Sequence, residues 1–402
     1  MLRYTPKLAR PLFATFAVPL DQYAARRIDR NLDWLKQPSL DFLRWVSHAL
    51  YRLLRRFHRP RTFPSHPSRF LLIRRNRLGD AINTLPLACA LKLAYPGATI
   101  EVLANPYNAA VFRWSSGVDR IWVLPERHWG NRWLVRWHPT MRALRRRHYD
   151  VVLNASGAYS SQAATLAGWV PAAWRIGVAS PKGSIHDLNY DGTIRLDRAT
   201  LESHQVQRLA AVARQGGLSI GNLPWVLFDR LRADIPAAIP DGQAAIAFCP
   251  EVARNESAWP VAHYRELIAA LRLRYPLRAL CLVIDGPDSI YADLADAAGV
   301  TLTPRRSLED FTSFLSVCAL VVCSEGGVSH LAPAAGVATI ALSGKNVAST
   351  WLPWSPLALL LEVPGDVARI TPRQVVHQIA AYLDNGHWLP DTDAHSFGLT
   401  SP

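Results

Sequence analysis

Two short segments hold residues whose types and order could carry group-transfer chemistry. The first, Arg74-Arg75-Asn76-Arg77-Leu78-Gly79-Asp80, comes directly after an apolar run, Phe70–Ile73. A carboxylate beyond the end of such a strand can point at a ligand and act as general base toward a hydroxyl. Asp80 is that candidate, with Gly79 permitting a tight turn before it and Asn76 and Arg77 on the same loop. An Asp that opens a helix is equally suited to capping it, and spacing alone leaves both readings open.

The second segment is Ser324-Glu325-Gly326-Gly327-Val328-Ser329-His330, again after an apolar run and before a helical pattern. Two adjacent glycines let backbone amides approach a ligand closely. A helix N-terminus adds partial positive charge, so a phosphate fits there without a metal. His330 could donate to a phosphate oxygen. The plainer reading is a glycine-rich turn capped by Ser324 or Glu325. A strict G-x-G-x-x-G is absent, which argues against a dinucleotide fingerprint.

Other candidates are single residues. Arg254 and Asn255 lie in a loop between Cys249-Pro250 and Trp259-Pro260, where a cation could help hold a pyrophosphate. Asp285 and Asp288 follow an apolar run ending at Ile284, where an acid could bind ribose hydroxyls. A solvated loop explains either set as well. Arg145-Arg146-Arg147-His148 reads better as a solvated helix end than as a specific site. No Asp/His cluster with metal-ligand spacing is evident.

The elements that must position these residues alternate. Phe70–Ile73, Thr99–Leu103, Ile121–Leu124 and Asp150–Asn154 read as strands, with a helical pattern over Ala81–Tyr95 that stops at Pro96-Gly97. A proline-containing stretch, Gly221–Gly242, separates them from a second set. That set has strands at Ala244–Cys249, Ala279–Ile284, Leu320–Cys323, Val337–Leu342 and Leu359–Val363, and helices at His263–Tyr275, Leu308–Cys318 and from His330. Such alternation favours parallel sheets covered by helices. Two doubly wound units imply ligands beyond the carboxyl ends of the strands. The expected division is an extension at 1–66, one lobe at 67–235, a second at 236–385 and a tail at 386–402.

The chain has 402 residues and a formal net charge of +14, unevenly placed. Residues 1–66 carry 13 Lys and Arg against 4 Asp, and 67–150 carry 14 basic against 5 acidic residues. The remainder is mildly acidic. A basic first third suggests an anionic partner: an anionic membrane, a phosphorylated glycolipid or a nucleic acid. No nucleic-acid motif is present. Within the extension, Phe42, Leu43, Val46, Ala49, Leu50, Leu53, Leu54 and Phe57 recur at helical spacing, with arginines mostly off that stripe. This basic amphipathic helix either packs on the body or anchors the chain on anionic lipid. Residues 59–67, with three prolines, read as a linker. The apolar run Leu12–Leu20 is too short to span a bilayer, and no cleavable signal stands out. The expectation is a cytoplasmic protein, peripheral on the inner face of the cytoplasmic membrane. Five cysteines, with no C-x-x-C, read as buried reduced thiols.

The stretch Phe70–Tyr95 resembles the opening of glycosyltransferase family 9, the family of the ADP-heptose:lipopolysaccharide heptosyltransferases. Gly79, Asp80 and Pro86 match its strand, Gly-Asp turn and helix with an early proline. The family's D-T-G-x-x-H-x-x-A-A-x-G pattern is similar to Glu325-Gly326-Gly327-Val328-Ser329-His330-Leu331-Ala332-Pro333-Ala334-Ala335-Gly336. Gly344 and Trp351–Trp354 fit the family's ending of that region. The likeness covers roughly residues 68–385.

The resemblance implies a GT-B fold of two Rossmann-like lobes facing a cleft, an inverting mechanism, and no metal or cofactor beyond a nucleotide-sugar co-substrate such as ADP-heptose. The first lobe would take a glycolipid or polysaccharide acceptor, placing Asn76, Arg77 and Gly79 on the acceptor side and Asp80 as the base. The second would take the donor, with Gly327 and His330 on its phosphates, beside Arg254, Asn255, Asp288 and Gly326. Two positions depart from the family: its Asp is Glu325 here, and its Lys before the Trp-Pro pair, a cation for the donor phosphate, falls on Ser257. Arg254 is the nearby substitute. A non-catalytic relative that binds a nucleotide sugar or a partner is the rival reading, against which the retained Asp80 counts.

Overall fold

The structure is a computed structural model. It describes residues 53–54, 61–125, 132–231, 244–250, 258–284, 289–294, 301–302, 307–345, 348–388 and 394–396. Two compact units account for them. One holds the described residues of 36–231 together with those of 347–356, and the other holds 232–346 and 357–402.

The first unit is built on six parallel strands: β1 (Arg69–Ile73), β2 (Thr99–Ala104), β3 (Arg120–Val123), β4 (Tyr149–Asn154), β5 (Ala172–Val178) and β6 (Gly192–Ile194). They lie in the order β3-β2-β1-β4-β5-β6. β1, β2 and β4 are nearly continuous apolar runs because helices cover both faces of a parallel sheet. Phe70, Leu71, Leu72, Val102, Leu103, Val151 and Val152 are fully enclosed.

The second unit has seven strands. They are β7 (Ile246–Cys249), β8 (Leu280–Leu282), β9 (Thr301–Leu302), β10 (Leu320–Ser324), β11 (Ala338–Ser343), β12 (Ala358–Glu362) and β13 (Ala394–Ser396). Their order is β13-β12-β11-β10-β7-β8-β9, with only β13 antiparallel to its neighbour among the described pairings. Without β13 this is the arrangement of the first sheet repeated: the first strand of each unit lies centrally, flanked by its second and fourth. In each sheet the winding reverses between the first and fourth strands, β1/β4 and β7/β10. A doubly wound sheet opens its ligand crevice outside the carboxyl ends at that reversal.

The second core centres on aromatic side chains. Trp259, Tyr264, Tyr291 and Phe248 are essentially buried, and Trp259 meets Tyr264 edge-on at 4.7 Å. The Trp259 indole N–H donates to the Ile370 carbonyl at 2.8 Å, so its one polar atom is satisfied. Trp259 is therefore a structural anchor, not a sugar-stacking surface. Trp137, 60% exposed with the Arg145 guanidinium over its ring at 5.2 Å, and Trp225, 36% exposed, are partly open to solvent.

Several sequence expectations change. The helix expected over Ala81–Tyr95 is two helices, Leu78–Ile82 and Leu85–Ala94. Pro86 lacks the N–H that would reach back to Ile82, so the chain restarts with the proline in the first turn. Gly79 is a helical residue and not a turn with positive φ. The proline-rich stretch before Ser68 is strapped to the first unit from Arg61 onward: Phe63 packs edge-on to Trp174 at 5.9 Å, and Arg61 donates to the Ala172 carbonyl. β5 and β6 were not evident in the sequence. β5 reads AAWRIGV with its middle part-exposed, so neither an unbroken apolar run nor strict alternation marks it. Of the amphipathic stripe Phe42–Phe57, Leu53 and Leu54 are helical and exposed; its other members lie outside the described residues. All five cysteines are free thiols, and all but Cys89 are buried. Among the described residues no helix is long and apolar enough to cross a membrane.

Candidate active site

β1 ends at Ile73 and delivers Arg74 into the interior at the first reversal point. A buried arginine must have its donors satisfied, and Arg74 spends them on its surroundings. Its Nη1 donates to the Ala155 carbonyl just beyond β4 at 2.6 Å, its Nε to the Asp80 carbonyl at 2.9 Å, and its Nη2 to Asp80 Oδ1 at 2.7 Å. The Arg74 side chain is wholly enclosed and that of Asp80 is 12% exposed. Burial pulls the Arg74 guanidinium below the usual arginine range, and the Asp80 carboxylate opposes that shift.

Asp80 is the third residue of its helix, not the N-cap, which is Arg77. Its Oδ2 accepts from the Arg77 backbone N–H at 3.3 Å, reaching back as the acidic member of a capping box does. Capping and a role in chemistry are thus compatible here. One oxygen is fixed by Arg74, while the other makes a single long bond on the solvent-accessible side.

The loop before Asp80 is held from β2. Asn105 Nδ2 donates to the carbonyls of Arg75 at 2.8 Å and Asn76 at 3.2 Å. Asn108 Nδ2 donates to those of Arg74 at 3.2 Å and Asn76 at 3.1 Å. The two asparagines also lock each other: Asn105 Oδ1 accepts from the Asn108 N–H at 2.8 Å and Asn108 Oδ1 from the Asn105 N–H at 3.0 Å. Both are buried, whereas Asn76 and Arg77 expose their side chains. The sequence reading missed this clamp. Its signal is Asn105-Pro106-Tyr107-Asn108, polar residues at the end of an apolar strand.

At the second reversal point β10 runs into Glu325-Gly326-Gly327, and the helix Gly327–Ala334 begins. The Glu325 N–H donates to the Leu342 carbonyl at 2.8 Å, tying the turn to the end of β11. Ser329 Oγ donates to the Gly326 carbonyl at 2.8 Å and accepts from its N–H at 3.3 Å. A Cβ on Gly326 would meet nothing within 4 Å, so the turn has open space beside its backbone. The first-turn amides point out of the helix end, as an anion requires. His330, the fourth residue of this helix, is 5% exposed. Ser324 Oγ donates to the Pro250 carbonyl across the reversal at 3.4 Å.

One cation joins this turn that sequence reasoning did not single out. Lys345, two residues past β11, places Nζ 3.1 Å from Glu325 Oε2, with side chains 54% and 20% exposed. Arg254, Asn255, Ser257, Asp285 and Asp288 lie outside the described residues. Among the described residues no group of three or more His, Cys, Asp and Glu side chains could hold a metal ion.

Residues 137–365, more than half of the chain, match the family described as "Glycosyltransferase family 9 (heptosyltransferase)". The chain belongs to glycosyltransferase family 9. The match contains the glycine turn, Lys345 and the Trp351–Trp354 region; Asp80 precedes it. Two curated relatives are lipopolysaccharide heptosyltransferase 1 of Salmonella typhimurium and of Escherichia coli K12. The first is 26% identical over 302 residues, covering 69% of this chain and 89% of the relative. The second is 25% identical over 296 residues, covering 69% and 88%. Among solved structures, E. coli heptosyltransferase WaaC with ADP-2-deoxy-2-fluoro heptose superposes with a TM-score of 0.65 at 21% identity, covering 79% of this chain and 99% of that one. E. coli ADP-heptose lps heptosyltransferase II gives 0.63 at 19% identity, covering 79% and 99%.

The fold is therefore GT-B, two Rossmann-like lobes, and this family 9 member is a glycosyltransferase. The rival reading as a non-catalytic relative is not favoured. The family's Trp351–Trp354 region belongs to the first unit: the Leu352 carbonyl lies 2.6 Å from His204 Nε2, and the Trp354 ring meets the same imidazole at 4.9 Å, tilted by 33°.

Proposed function

We propose that the chain transfers a heptose from a nucleotide-diphosphate heptose, such as ADP-heptose, to a hydroxyl of a lipopolysaccharide intermediate, with inversion at the anomeric carbon and without a metal ion. The observation that supports it most is the repeated strand order, with Asp80 at the reversal point of one sheet and the open glycine turn at that of the other. The relatives' names supply the sugar and acceptor class, and the E. coli enzyme was solved with an ADP-heptose analogue.

In this reading the acceptor hydroxyl gives its proton to Asp80 Oδ2 as its oxygen attacks the anomeric carbon. The bond from that carbon to the diphosphate oxygen breaks on the opposite face, and its electron pair leaves with the nucleoside diphosphate. Arg74 keeps Asp80 oriented through Oδ1. Asn76 and Arg77 contact the acceptor. The first-turn amides of Gly327–Ala334 meet the charge that develops on the diphosphate, stabilisation by preorganised dipoles. Gly326, Gly327, His330 and Glu325 line the donor side, with Arg254, Asn255 and Asp288 assigned there from their loops after apolar runs and Ser257 by resemblance. An anionic membrane surface that carries the acceptor suits the basic first third of the chain.

A transfer assay tests the proposal. Purified chain, ADP-heptose and a heptose-deficient lipopolysaccharide acceptor should give heptosylated product, equally well with excess EDTA present. No product from ADP-, GDP-, UDP- or CDP-sugars would remove the assignment. Inhibition by EDTA that a divalent ion reverses would remove the metal-free mechanism.

A further inference from the structure

Lys345 stands at the donor turn with no role assigned by the sequence motifs. The backbone around it is fixed. A Cβ on Gly344 would lie 2.7 Å from the Val367 backbone nitrogen, so only glycine fits that close approach. The Gly365 N–H donates to the Gly344 carbonyl at 2.8 Å, and the Lys345 N–H to Ser343 Oγ at 3.1 Å. The same strand end holds the glycine turn, through Glu325 N–H to the Leu342 carbonyl. Lys345 and the first-turn amides of Gly327–Ala334 are thus carried on one rigid edge formed by β10 and β11. Its ammonium touches Glu325, the residue that opens that turn, at 3.1 Å.

An ion pair this exposed is weak in water, so a ligand of higher charge can compete for the ammonium. A diphosphate at the turn is such a ligand. Until it arrives, Glu325 holds Lys345 over the turn. Glu325 is one methylene longer than the Asp of the family pattern, and that length contributes to its reach. We propose that Lys345 supplies the positive charge that binds and stabilises the departing diphosphate in this chain, a charge that Ser257 does not bring. This rests on the donor-site reading of the glycine turn.

The test uses the full chain and a calorimetric titration with ADP, GDP, UDP and CDP, followed by the monophosphate of whichever base binds tightest. Lys345→Met should weaken the diphosphate at least about tenfold and the monophosphate much less. Lys345→Arg should stay within about threefold of wild type. Glu325→Gln should tighten the diphosphate by freeing the ammonium. Because Lys345 is half exposed, the melting temperature should hardly move, which separates lost charge from lost fold. Diphosphate affinity within twofold of wild type in Lys345→Met, with wild type binding well, overturns the role of Lys345 alone. Failure of wild type to bind any of the four nucleoside diphosphates overturns the donor-site reading and this inference together.

Discussion

The Arg74 guanidinium, enclosed on every side, donates to the Asp80 carboxylate at 2.7 Å and to the Asp80 carbonyl at 2.9 Å. The candidate base is therefore held both by its side chain and by its own peptide. A general base gains from such restraint, since orientation settled before reaction need not be settled during it.

Replacing Asp80 by Asn keeps the shape and an oxygen that can accept from Arg74, but removes the basic carboxylate. Turnover should fall roughly 10²-fold or more while nucleotide binding is kept. Stability should fall by about 3 kcal/mol or more, because the enclosed Arg74 guanidinium loses its counter-charge, and the lost contact with the Arg77 N–H adds to that. Steady-state kinetics beside a urea titration read the two effects separately. If turnover stays within a few-fold of wild type, Asp80 only shapes the turn.

Arg74→Met removes the buried partner. It strands the Asp80 carboxylate and takes the guanidinium donor from the Ala155 carbonyl and from the Asp80 carbonyl, which keeps the Thr84 hydroxyl. Breaking a pair of this kind costs about 3 kcal/mol or more. Asp80→Asn combined with Arg74→Met should lose less than the two single changes added together, because they remove one interaction. Strict additivity would mean the pair is not coupled.

Asn105 and Asn108 offer a positioning test away from the reacting atoms. Asn108→Asp keeps the volume but turns the donor toward the Arg74 and Asn76 carbonyls into an acceptor. An unsatisfied buried contact costs about 1–3 kcal/mol. The loop that presents Asp80 should loosen, so kcat should drop while nucleoside diphosphate affinity stays constant. An equal loss in both would point to general unfolding.

Much of this architecture was legible in the sequence because parallel strands buried on both faces leave unbroken apolar runs, as at Phe70–Ile73 and Leu320–Cys323. β5 was not, since Trp174 and Arg175 interrupt it at a half-exposed position. At the site, Asp80 and the glycine turn could be found because each comes directly after a strand. Arg74, Asn105 and Lys345 could not. Their importance lies in partners brought near by parallel pairing, β1 with β2 and β4 and β10 with β11, and a lone polar residue after a strand says nothing about which carbonyl or carboxylate it will meet.

Alkaline pH should destabilise the native chain. Burial pushes the Cys281 thiol up from 9.0 to about 11 and also raises Cys318 and Cys323. It raises the Tyr149 hydroxyl too, reinforced by its bond to the Glu101 carboxylate. For groups raised in the folded state, the stabilising contribution is complete below the unfolded value and is lost as pH climbs toward the folded one. Urea midpoints should therefore decline from about pH 9 to pH 11, and Cys281→Ala should reduce the steepness. A flat profile across that window would sink the argument.

The basic extension can be separated from the lobes at Arg61, because Arg61 and Phe63 already belong to the first unit. A chain beginning at Arg61 keeps these contacts and lacks most of the positive charge of residues 1–66, together with the apolar stripe Phe42–Phe57. Each Lys or Arg near an anionic leaflet contributes on the order of 1 kcal/mol, and an apolar face adds to that. The shortened chain should melt as the full one does but sediment far less with phosphatidylglycerol vesicles. It should still glycosylate a soluble acceptor fragment, while acting poorly on acceptor embedded in a bilayer. Added salt should release the full chain from vesicles, since screening acts on exposed charges. If the shortened chain binds vesicles as tightly as the full one, membrane contact resides in the lobes, where Trp137 is 60% exposed. If it fails to fold, the stripe is part of the core and the anchoring role is lost.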